Sequence, residues 1–326
     1  MKPLLLHYFI TNRCNARCEF CDIWRQTPKK NALLEDVTRN LHDARKAGCK
    51  FVDFTGGEPL LHPQLPDFLI IARKLGYVTS VTTNCLLFET RAAELRGLVD
   101  LLHFSLDGAT ADVHDSIRGV RSFDAVMRSI SLARSLGMHP DLLFTYTDDN
   151  ICDFPRVAAL ARGNKLVAIL DPVFETEGPD RVSPRTHTLA KNYSRLRGVY
   201  LNRAHLALRE NGGNSCQTPR CRAVDSTIVV LPDNTLALPC FHNANSFVSI
   251  GHSLISALNH PDRQQALQWQ GRYLFCTGCH INCYFDPSFT ASLDRYTFLS
   301  IGSKLSYAWT KYIFYRRRPP WKVFLG

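Results

Sequence analysis

Residues 11–24 read TNRCNARCEFCDIW, and they directly follow an apolar run from Leu4 to Ile10. An apolar run of this length that ends at a polar loop predicts a buried β-strand. Cys14, Cys18 and Cys21 would then lie on the loop at the carboxyl end of that strand. Three thiolates this close together can hold a soft metal and leave a further coordination position open. An open position indicates a catalytic metal centre more than a structural one.

Short apolar runs alternate with helical patterns from residue 4 to about residue 175. The predicted strands are 4–10, 51–55, 78–83, 101–106, 141–146 and 167–170. The predicted helices between them are 33–47, 65–75, 90–98, 123–136 and 154–162. Six consecutive β/α units predict a parallel sheet with right-handed crossovers. We therefore expect an α/β protein with a partial, TIM-like (βα)6 barrel, whose site lies on the loops after the strand carboxyl ends.

The pattern divides the chain into four predicted segments. They are the partial barrel at 1–175, a helical connector at 176–214, a cysteine-rich module at 215–293 and a basic aromatic tail at 294–326. The connector begins with Gly178-Pro179 and should contain one helix near 188–209, before Asn211 and two glycines end it. The module should contain a strand–turn–strand at 227–238.

Cysteine content and charge limit the classes of protein. The chain has twelve cysteines at close spacings and no leader pattern, which favours metal binding in a reducing cytoplasm over disulfides. The net charge is +10, but the last 32 residues hold seven positive charges and no acid. The rest is only mildly basic, so we expect no nucleic-acid partner. An uncharged apolar run of 18 residues is absent, so we expect no membrane-spanning helix.

A second motif accompanies the cysteines. Residues 56–59 read GGEP, directly after the second predicted strand and 35 residues beyond Cys21. The CxxxCxxC spacing, the aromatic Phe20 before the last cysteine and this GGEP together resemble the radical S-adenosylmethionine (SAM) superfamily. Taken alone, the cysteine spacing also suits zinc or a ferredoxin-like cluster.

The resemblance implies a function for each of these motifs. Cys14, Cys18 and Cys21 would hold three irons of a [4Fe–4S] cluster, and the amino and carboxylate groups of SAM would chelate the fourth. Reductive cleavage would give methionine and a 5′-deoxyadenosyl radical that abstracts hydrogen from a substrate. Gly56 and Gly57 would let the backbone approach the methionyl part of SAM, while the Glu58 carboxylate would accept from its ammonium group.

Three further residues match the family less closely, two at strand ends and one at the approach to a helix. Asn84 would face SAM, although Cys85 stands where the family often has glycine. Ser105 resembles the segment that binds the SAM ribose, and Arg118 resembles an arginine that meets the SAM carboxylate. Each of the three can instead be a strand-end cap or a loop hydrogen-bond partner. We expect Asp107 to order the turn in which it lies.

The second cysteine group resembles the SPASM and twitch modules, which carry auxiliary iron–sulfur clusters. Residues 230–240 match their "PDG…PC" hairpin, with Asn234-Thr235 in place of the glycine. Six thiols favour one auxiliary [4Fe–4S] cluster, since one such cluster needs about four. Two clusters with other ligands, or a zinc site, are the alternatives. The first four expected ligands are Cys221, Cys240, Cys276 and Cys279, with Cys216 and Cys283 as further candidates.

The substrate is less closely determined than the chemistry. The tail suggests a small apolar substrate, and the resemblance leads to an oxidoreductase of tetrapyrroles, such as the type that hydroxylates a C-7 methyl of a bacteriochlorophyllide. Peptide maturases, which form thioether or carbon–carbon links or epimerise residues, are the alternative, and a non-catalytic zinc protein is the rival class. An external one-electron donor of the flavodoxin or ferredoxin type is implied. The sequence does not identify a general base among Asp107, His62 and His280.

The tail after Asp294 combines aromatic and basic residues, including Trp309 and three consecutive arginines that begin at Arg316. Aromatic and basic residues together favour anionic bilayer interfaces, so the tail can make a peripheral membrane contact. The alternative is a C-terminal helix packed on the barrel with its arginines in water.

Overall fold

The strand that leads into the cysteine loop lies inside a large sheet and not at its edge. The computed structural model describes residues 2–175 and 181–319. The strands are Leu5–Thr11 (β1), Phe51–Gly56 (β2), Val78–Thr83 (β3), Leu101–Ser105 (β4), Asp141–Tyr146 (β5), Ala168–Pro172 (β6), Val199–Tyr200 (β7), Thr227–Val230 (β8), Thr235–Leu238 (β9) and Ser246–Ser249 (β10). They follow the order β10-β9-β8-β1-β2-β3-β4-β5-β6-β7 across one sheet.

The helices occupy the connections between strands and the region after β10. Their bounds are Leu34–Ala47 (α1), Leu65–Lys74 (α2), Phe88–Leu95 (α3), Ala111–Arg118 (α4), Phe123–Ser135 (α5), Phe154–Gly163 (α6), Pro184–Tyr193 (α7), Arg203–Glu210 (α8), Ala223–Ser226 (α9), Leu254–Leu258 (α10), Pro261–Trp269 (α11), Asn282–Ser288 (α12) and Arg295–Ala308 (α13). The last helix continues into a π-helical turn, Trp309–Phe314. Short 3-10 turns lie at Ile23–Arg25, Pro59–Leu61, Ile151–Asp153 and Leu274–Cys276.

The two faces of the parallel sheet differ in chemistry because successive side chains point to opposite faces. One face packs against the helices, and its core includes fully buried residues such as Tyr8, Phe54 and Phe104. The opposite face, here called the inner face, carries half-buried polar side chains from five of the strands: His7, Asp53, Ser80, His103 and Asp171.

The cysteine-rich module adds its strands to the same sheet. β8 pairs in parallel with β1, with Thr227 opposite Leu5, and β9 and β10 continue the sheet in antiparallel pairing. The turn between β8 and β9 places Asn234 at a φ of +60°, which asparagine tolerates better than most residues. The hairpin of the second cysteine group therefore lies directly beside the strand that carries the first group.

The predicted α/β fold with a parallel sheet is confirmed, and the sheet is open, with β7 and β10 at its edges. β3 and β5 have the predicted bounds at both ends. The single helix predicted near 188–209 is wrong, because Gly198 turns the chain at a φ of +86° and β7 pairs with β6 between α7 and α8. Helix α4 was not predicted from the sequence. The predicted start of the connector, Gly178-Pro179, lies outside the described residues.

The C-terminal helix packs against α8 and β7. The Tyr307 hydroxyl and the Lys311 ammonium group both donate to Oδ2 of Asp141, each at 2.6 Å. This anchors the helix beside the amino end of β5. Among the described residues, the helices are too short or too polar to cross a bilayer.

Candidate active site

The three cysteines of the loop after β1, here called the loop cysteines (Cys14, Cys18 and Cys21), are held from one side by the end of β2. The Gly57 N–H donates to the Thr11 carbonyl and the Glu58 N–H donates to the Arg13 carbonyl, both at 2.8 Å. These bonds extend the β1–β2 pairing into the loop. They fix the backbone on which the thiols are mounted.

The end of α4 holds the same loop from the other side. The Arg17 N–H donates to the Arg118 carbonyl at 2.9 Å, and the Glu19 N–H donates to the Ile117 carbonyl at 3.1 Å. Gly119, at a φ of +64°, ends the helix directly against the loop, and a Cβ there would lie 2.6 Å from the Arg17 carbonyl oxygen. The cysteine loop is therefore clamped between two segments that the sequence had singled out for SAM.

The two glycines of the GGEP motif are required by this clamp. A Cβ on Gly56 would lie 1.9 Å from the Thr11 carbonyl oxygen, and one on Gly57 would lie 2.0 Å from the Arg13 carbonyl oxygen. Real Cβ atoms do not come this close to a backbone oxygen. Glycine is thus required at these two positions because the backbone of the cysteine loop packs directly against them.

Glu58 is buried at the end of β2, and its carboxylate joins two strand ends. Oε1 accepts from the Leu60 N–H at 3.1 Å and from the Thr83 hydroxyl at 2.8 Å, while Oε2 accepts from the Asn84 N–H at 2.8 Å. Burial raises the pKa of Glu58, and these three bonds oppose the shift. The structure thus shows a buried carboxylate that joins the ends of β2 and β3 through hydrogen bonds to backbone and hydroxyl groups.

Asn84 and Ser105 lie at the ends of β3 and β4, as the sequence predicted, and both are buried. The Asn84 side chain donates to Oδ1 of Asn15 at 2.8 Å and accepts from the Leu86 N–H at 3.0 Å. Asn84 therefore ties the cysteine loop to β3. Cys85 adopts a φ of +68°, the conformation for which glycine is favoured, and its thiol is buried.

Arg118 lies under the loop and forms a buried ion pair. Its Nη2 is 2.5 Å from Oδ2 of Asp107, and its Nη1 is 3.6 Å from the Cys18 sulfur. Asp107 also accepts from the Thr145 N–H of β5 at 2.8 Å, so its carboxylate links the segment after β4 to the neighbouring strand. Nε of Arg118 is buried and has no hydrogen-bond partner among the described residues. A buried cation with an unused donor beside a thiol is suited to an anionic group.

The donor set of the loop fits an iron–sulfur cluster better than a single ion. Burial raises the pKa of Cys14 to about 11 and also raises the pKa of Cys21, so these thiols need a metal to become thiolates near neutral pH. Within residues 2–175 and 181–319, no three His, Cys, Asp or Glu side chains are placed to share one metal ion. Ligands of a four-iron cluster surround a volume and do not converge on a point.

Four cysteines of the second group line one small concavity, and we call them the cavity cysteines: Cys221, Cys240, Cys276 and Cys279. Burial raises the pKa of each, to about 11 for Cys240 and about 12 for Cys276. The walls are largely apolar and include Phe275, Ile281 and Tyr284. The concavity is therefore a dry space bordered by four soft ligands, which suits a cluster.

The other two late cysteines do not line this concavity, although Cys216 lies close enough to Cys276 and Cys279 to raise their pKa values and Cys283 packs in the same cluster as Cys240. The Cys216 sulfur is 3.1 Å from both the Tyr273 carbonyl and the Thr277 hydroxyl, in a partly exposed position. Cys283 lies at the start of α12, where burial, together with the charges of Asp171 and Asp53, raises its pKa to about 12. The structure thus directs Cys283 towards the inner face of the sheet.

The inner face carries polar residues that the sequence prediction missed. Nδ1 of His7 lies 3.1 Å from Oδ2 of Asp53, and this contact holds the pKa of Asp53 below its ordinary value although burial acts to raise it. His103 lies in the middle of β4 and not at a strand end, and burial lowers its pKa. A polar residue inside an otherwise apolar strand, as in LLHYFI, FVDFT and LLHFS, was the available signal.

Aromatic side chains border the same face beside the second group. Phe9 of β1 stacks on Phe241 with ring centroids 4.0 Å apart, and Phe174 meets His242 edge-on at 4.7 Å. All four rings are half-buried. They form a cluster of stacked and edge-on rings between β1 and the module, which we call the aromatic wall.

Two histidines considered as possible bases have structural roles. His62 is buried, its Nε2 lies 3.0 Å from the Ala32 carbonyl, and its Nδ1 accepts from the Gln64 N–H. Burial lowers its pKa. His280 contacts the Gly278 carbonyl through Nδ1 at 3.2 Å, within the loop of the cavity cysteines.

Comparison with known sequences agrees with this geometry. The family model described as Radical SAM superfamily matches residues 8–161, which hold the loop cysteines, residues 56–58 and Arg118. A GTP 3',8-cyclase of Desulforamulus reducens is 32% identical over 164 residues, which are 47% of this chain and 50% of that protein.

Two other curated relatives match to a similar extent. An Fe-coproporphyrin III synthase of Methanosarcina barkeri is 29% identical over 173 residues, 52% of this chain and 43% of that protein. A PqqA peptide cyclase of Gluconobacter oxydans is 30% identical over 165 residues, 49% of this chain and 46% of that protein. The chain thus spans about half the length of the curated relatives it matches.

Solved structures show the same fold over most of the chain. Streptococcus suis SuiB bound to S-adenosylmethionine has a TM-score of 0.69 at 17% identity and covers 90% of this chain and 75% of that one. The protein anSMEcpe with bound AdoMet has a TM-score of 0.64 at 17% identity and covers 96% and 94% of the two chains. At this identity the likeness describes the fold.

Proposed function

We propose that this chain, which belongs to the radical SAM superfamily through residues 8–161, reductively cleaves SAM and abstracts a hydrogen atom from an unactivated C–H bond. The observation that carries the proposal is the double clamp on the cysteine loop. Residues 57–58 and 117–118 fix the loop cysteines at the carboxyl edge of the sheet, next to the polar inner face. A [4Fe–4S] cluster held there would supply the electron for the cleavage.

Within this proposal the chain's own residues bind and orient the cosubstrate. The strand ends at Gly56, Gly57, Asn84 and Ser105 would border SAM. Arg118 offers an unused buried Nε–H to an anionic group, and the Glu58 carboxylate keeps the ends of β2 and β3 together. The apolar core behind these residues excludes water from the edge where the radical would form.

The test is anaerobic reconstitution with iron and sulfide, followed by reduction with dithionite in the presence of SAM. We expect a brown protein that releases 5′-deoxyadenosine, measured by mass spectrometry, and a Cys18→Ala variant that releases none. Cys49→Ala is the matched control, because that cysteine is buried in the main core. A colourless protein that contains only zinc would refute the proposal and favour a non-catalytic metal protein.

We further propose that the cavity cysteines hold one auxiliary [4Fe–4S] cluster. Four thiols around one largely apolar concavity support this, since neither Cys216 nor Cys283 lines it. Such a cluster would accept the second electron when the substrate radical is oxidised. The primary donor would be an acidic flavodoxin or ferredoxin, to which a net charge of +10 is complementary. The close cysteine spacings would suit metal binding in a reducing cytoplasm.

For the substrate we propose a small apolar tetrapyrrole, oxidised at a C–H bond as in methyl hydroxylation of a bacteriochlorophyllide. The aromatic wall supports a flat ring system, since stacking favours planar ligands. The relationship to an Fe-coproporphyrin III synthase supports the same class. The enzyme would then be an oxidoreductase.

Peptide modification is the second candidate, because a PqqA peptide cyclase is an equally close relative. Turnover assays separate the two. The tetrapyrrole proposal expects substrate-dependent 5′-deoxyadenosine with a porphyrin or chlorin panel, and a Phe9→Ala variant with a raised KM for that substrate. Turnover with peptides alone would reject the tetrapyrrole and leave the radical chemistry in place.

A further inference from the structure

The helix that runs from α13 through its π-helical turn has its polar side turned inward. Thr297, Ser300, Ser303 and Lys311 on this helix are at most 6% exposed. The Ser303 hydroxyl accepts from the Arg203 N–H of α8 at 3.1 Å. Small and polar residues therefore make the contact with the rest of the protein.

The apolar side of the same helix faces outward. Its exposed fractions are 64% for Phe298, 47% for Ile301, 65% for Leu305, 65% for Trp309 and 55% for Ile313. Spacings of three, four, four and four residues place these side chains on one line, here called the apolar stripe. A surface helix of a globular protein normally has the reverse arrangement, so a continuous exposed stripe indicates an interaction surface.

Basic residues flank the apolar stripe at both ends. Arg295 precedes it, and Arg316 and Arg318 follow it, all with exposed side chains. No aspartate or glutamate follows Asp294 in the sequence. The surface thus combines large apolar and aromatic side chains with uncompensated positive charge.

We propose that the apolar stripe docks this protein on the surface of an anionic phospholipid bilayer. Leucine, isoleucine and phenylalanine side chains would enter the boundary between headgroups and acyl chains, with Trp309 at the interface. Arg295, Arg316 and Arg318 would face the lipid phosphates. The inward polar face leaves the packing on α8 unchanged when the stripe is buried.

A second copy of the chain fits this surface less well. Pairing two stripes in antiparallel orientation brings Arg295 of one copy against Arg316 and Arg318 of the other. Parallel pairing brings each arginine against its own equivalent. Like charges at both ends oppose self-association, whereas anionic lipid neutralises them all.

Docking would leave the candidate active site open. The helix is anchored to Asp141 at the amino end of β5, whereas the loop cysteines lie at the carboxyl edge of the same sheet. The two surfaces are therefore at opposite rims of the sheet. Lipid binding and SAM cleavage should be separable by mutation.

The experiment is vesicle flotation of the full-length, reconstituted protein. We expect flotation with phosphatidylcholine vesicles that contain phosphatidylglycerol, little with phosphatidylcholine alone, and release at high salt. A Leu305→Asp/Trp309→Asp variant should bind at least about tenfold more weakly. An Arg316→Gln/Arg318→Gln variant should bind about 30-fold more weakly, since each basic residue near an anionic surface contributes about 1 kcal/mol.

The matched control is Leu33→Asp, because Leu33 is 66% exposed and lies far along the chain at the start of α1. It should float like the unaltered protein, and all variants should keep 5′-deoxyadenosine release. Unaltered flotation of the Leu305→Asp/Trp309→Asp variant, or no flotation of the parent protein at low salt, would overturn the proposal. A concentration-dependent dimer that this variant disrupts, without lipid binding, would assign the stripe to a second copy.

Discussion

The loop cysteines and the cavity cysteines are built in opposite ways. The loop cysteines lie within eight residues, and backbone hydrogen bonds from β2 and α4 hold their loop on both sides. The cavity cysteines come from segments spread over 59 residues, and they meet at an apolar concavity. The first group is positioned by the sheet itself, whereas the second is positioned by the packing of several short elements.

This difference predicts that the two groups respond differently to substitution and to loss of metal. The geometry of the loop depends on close backbone approach, so one added atom in the clamp should disorder it. The geometry of the concavity depends on many contacts and, when a cluster is bound, on the metal that joins the segments. The predictions below test this contrast from the largest expected effect to the smallest.

A Gly57→Ala substitution should have the largest effect. The added Cβ would lie 2.0 Å from the Arg13 carbonyl oxygen, so the cysteine loop must move away from β2. We expect loss of the iron bound by the loop, no detectable 5′-deoxyadenosine, and a free energy of unfolding lower by more than about 4 kcal/mol. Iron analysis and urea denaturation measure these quantities.

Gly163→Ala is the matched control for this prediction. Gly163 ends α6 with open space around its Cα, so alanine should leave activity unchanged and raise stability by about 0.5 to 1 kcal/mol. A Gly57→Ala protein that retained full iron and activity would mean that the clamp does not position the loop.

Arg118→Gln should destabilise the protein by about 3 kcal/mol, because it leaves the buried Asp107 carboxylate without its ion-pair partner. SAM cleavage should fall with it, since the charge beside Cys18 is lost. The double variant Arg118→Gln/Asp107→Asn should recover much of the stability without the activity. Equal recovery of both would show that Arg118 acts only through folding.

Cys240→Ala should remove one cluster and leave the other. We expect iron to fall from about eight to about four atoms per chain, with 5′-deoxyadenosine release retained and product formation lost. Cys283→Ala is the control within the same group, because Cys283 faces the inner face and should keep its full iron content. Loss of iron in both variants would place Cys283 among the ligands.

The sequence predicted the parts of this fold that depend on local pattern. Strand β5 and the CxxxCxxC loop are contiguous, so their periodicity and spacing are visible in the chain. The single connector helix failed because β7 is two residues long and forms through pairing with β6, a contact that no local pattern encodes.

The site shows the same division. The GGEP motif was visible, but its use as a clamp depends on carbonyl oxygens 45 and 44 residues away, at Thr11 and Arg13. Six late cysteines were visible, but their division into four that line the concavity and two that do not depends on tertiary packing. Likewise, an aromatic and basic tail was visible, while its inverted helix could be recognised only once Lys311 was seen buried.

The smallest expected effect concerns two buried histidines, one behind each cysteine group. His114 accepts from the Asp107 N–H near the loop cysteines, and His205 lies within 2.8 Å of the His280 carbonyl near the cavity cysteines. Burial lowers the pKa of each to about 3. The unfolded chain would protonate them near pH 6.5, so stability is present above that pH and is lost as pH falls towards 3.

Each histidine should therefore cost about 2 kcal/mol of stability between pH 7 and pH 5. A His205→Gln variant cannot titrate but can still donate to the His280 carbonyl. For this variant we expect urea denaturation to show a pH dependence of stability that is smaller by about that amount.

Hydrogen exchange of the unaltered protein at pH 5 tests the same contrast. The segments that carry the cavity cysteines, which are held by packing, should exchange before the clamped cysteine loop. If the cysteine loop exchanged first, the sheet would not hold the loop cysteines more firmly than packing holds the cavity cysteines. The proposed difference between the two groups would then be wrong.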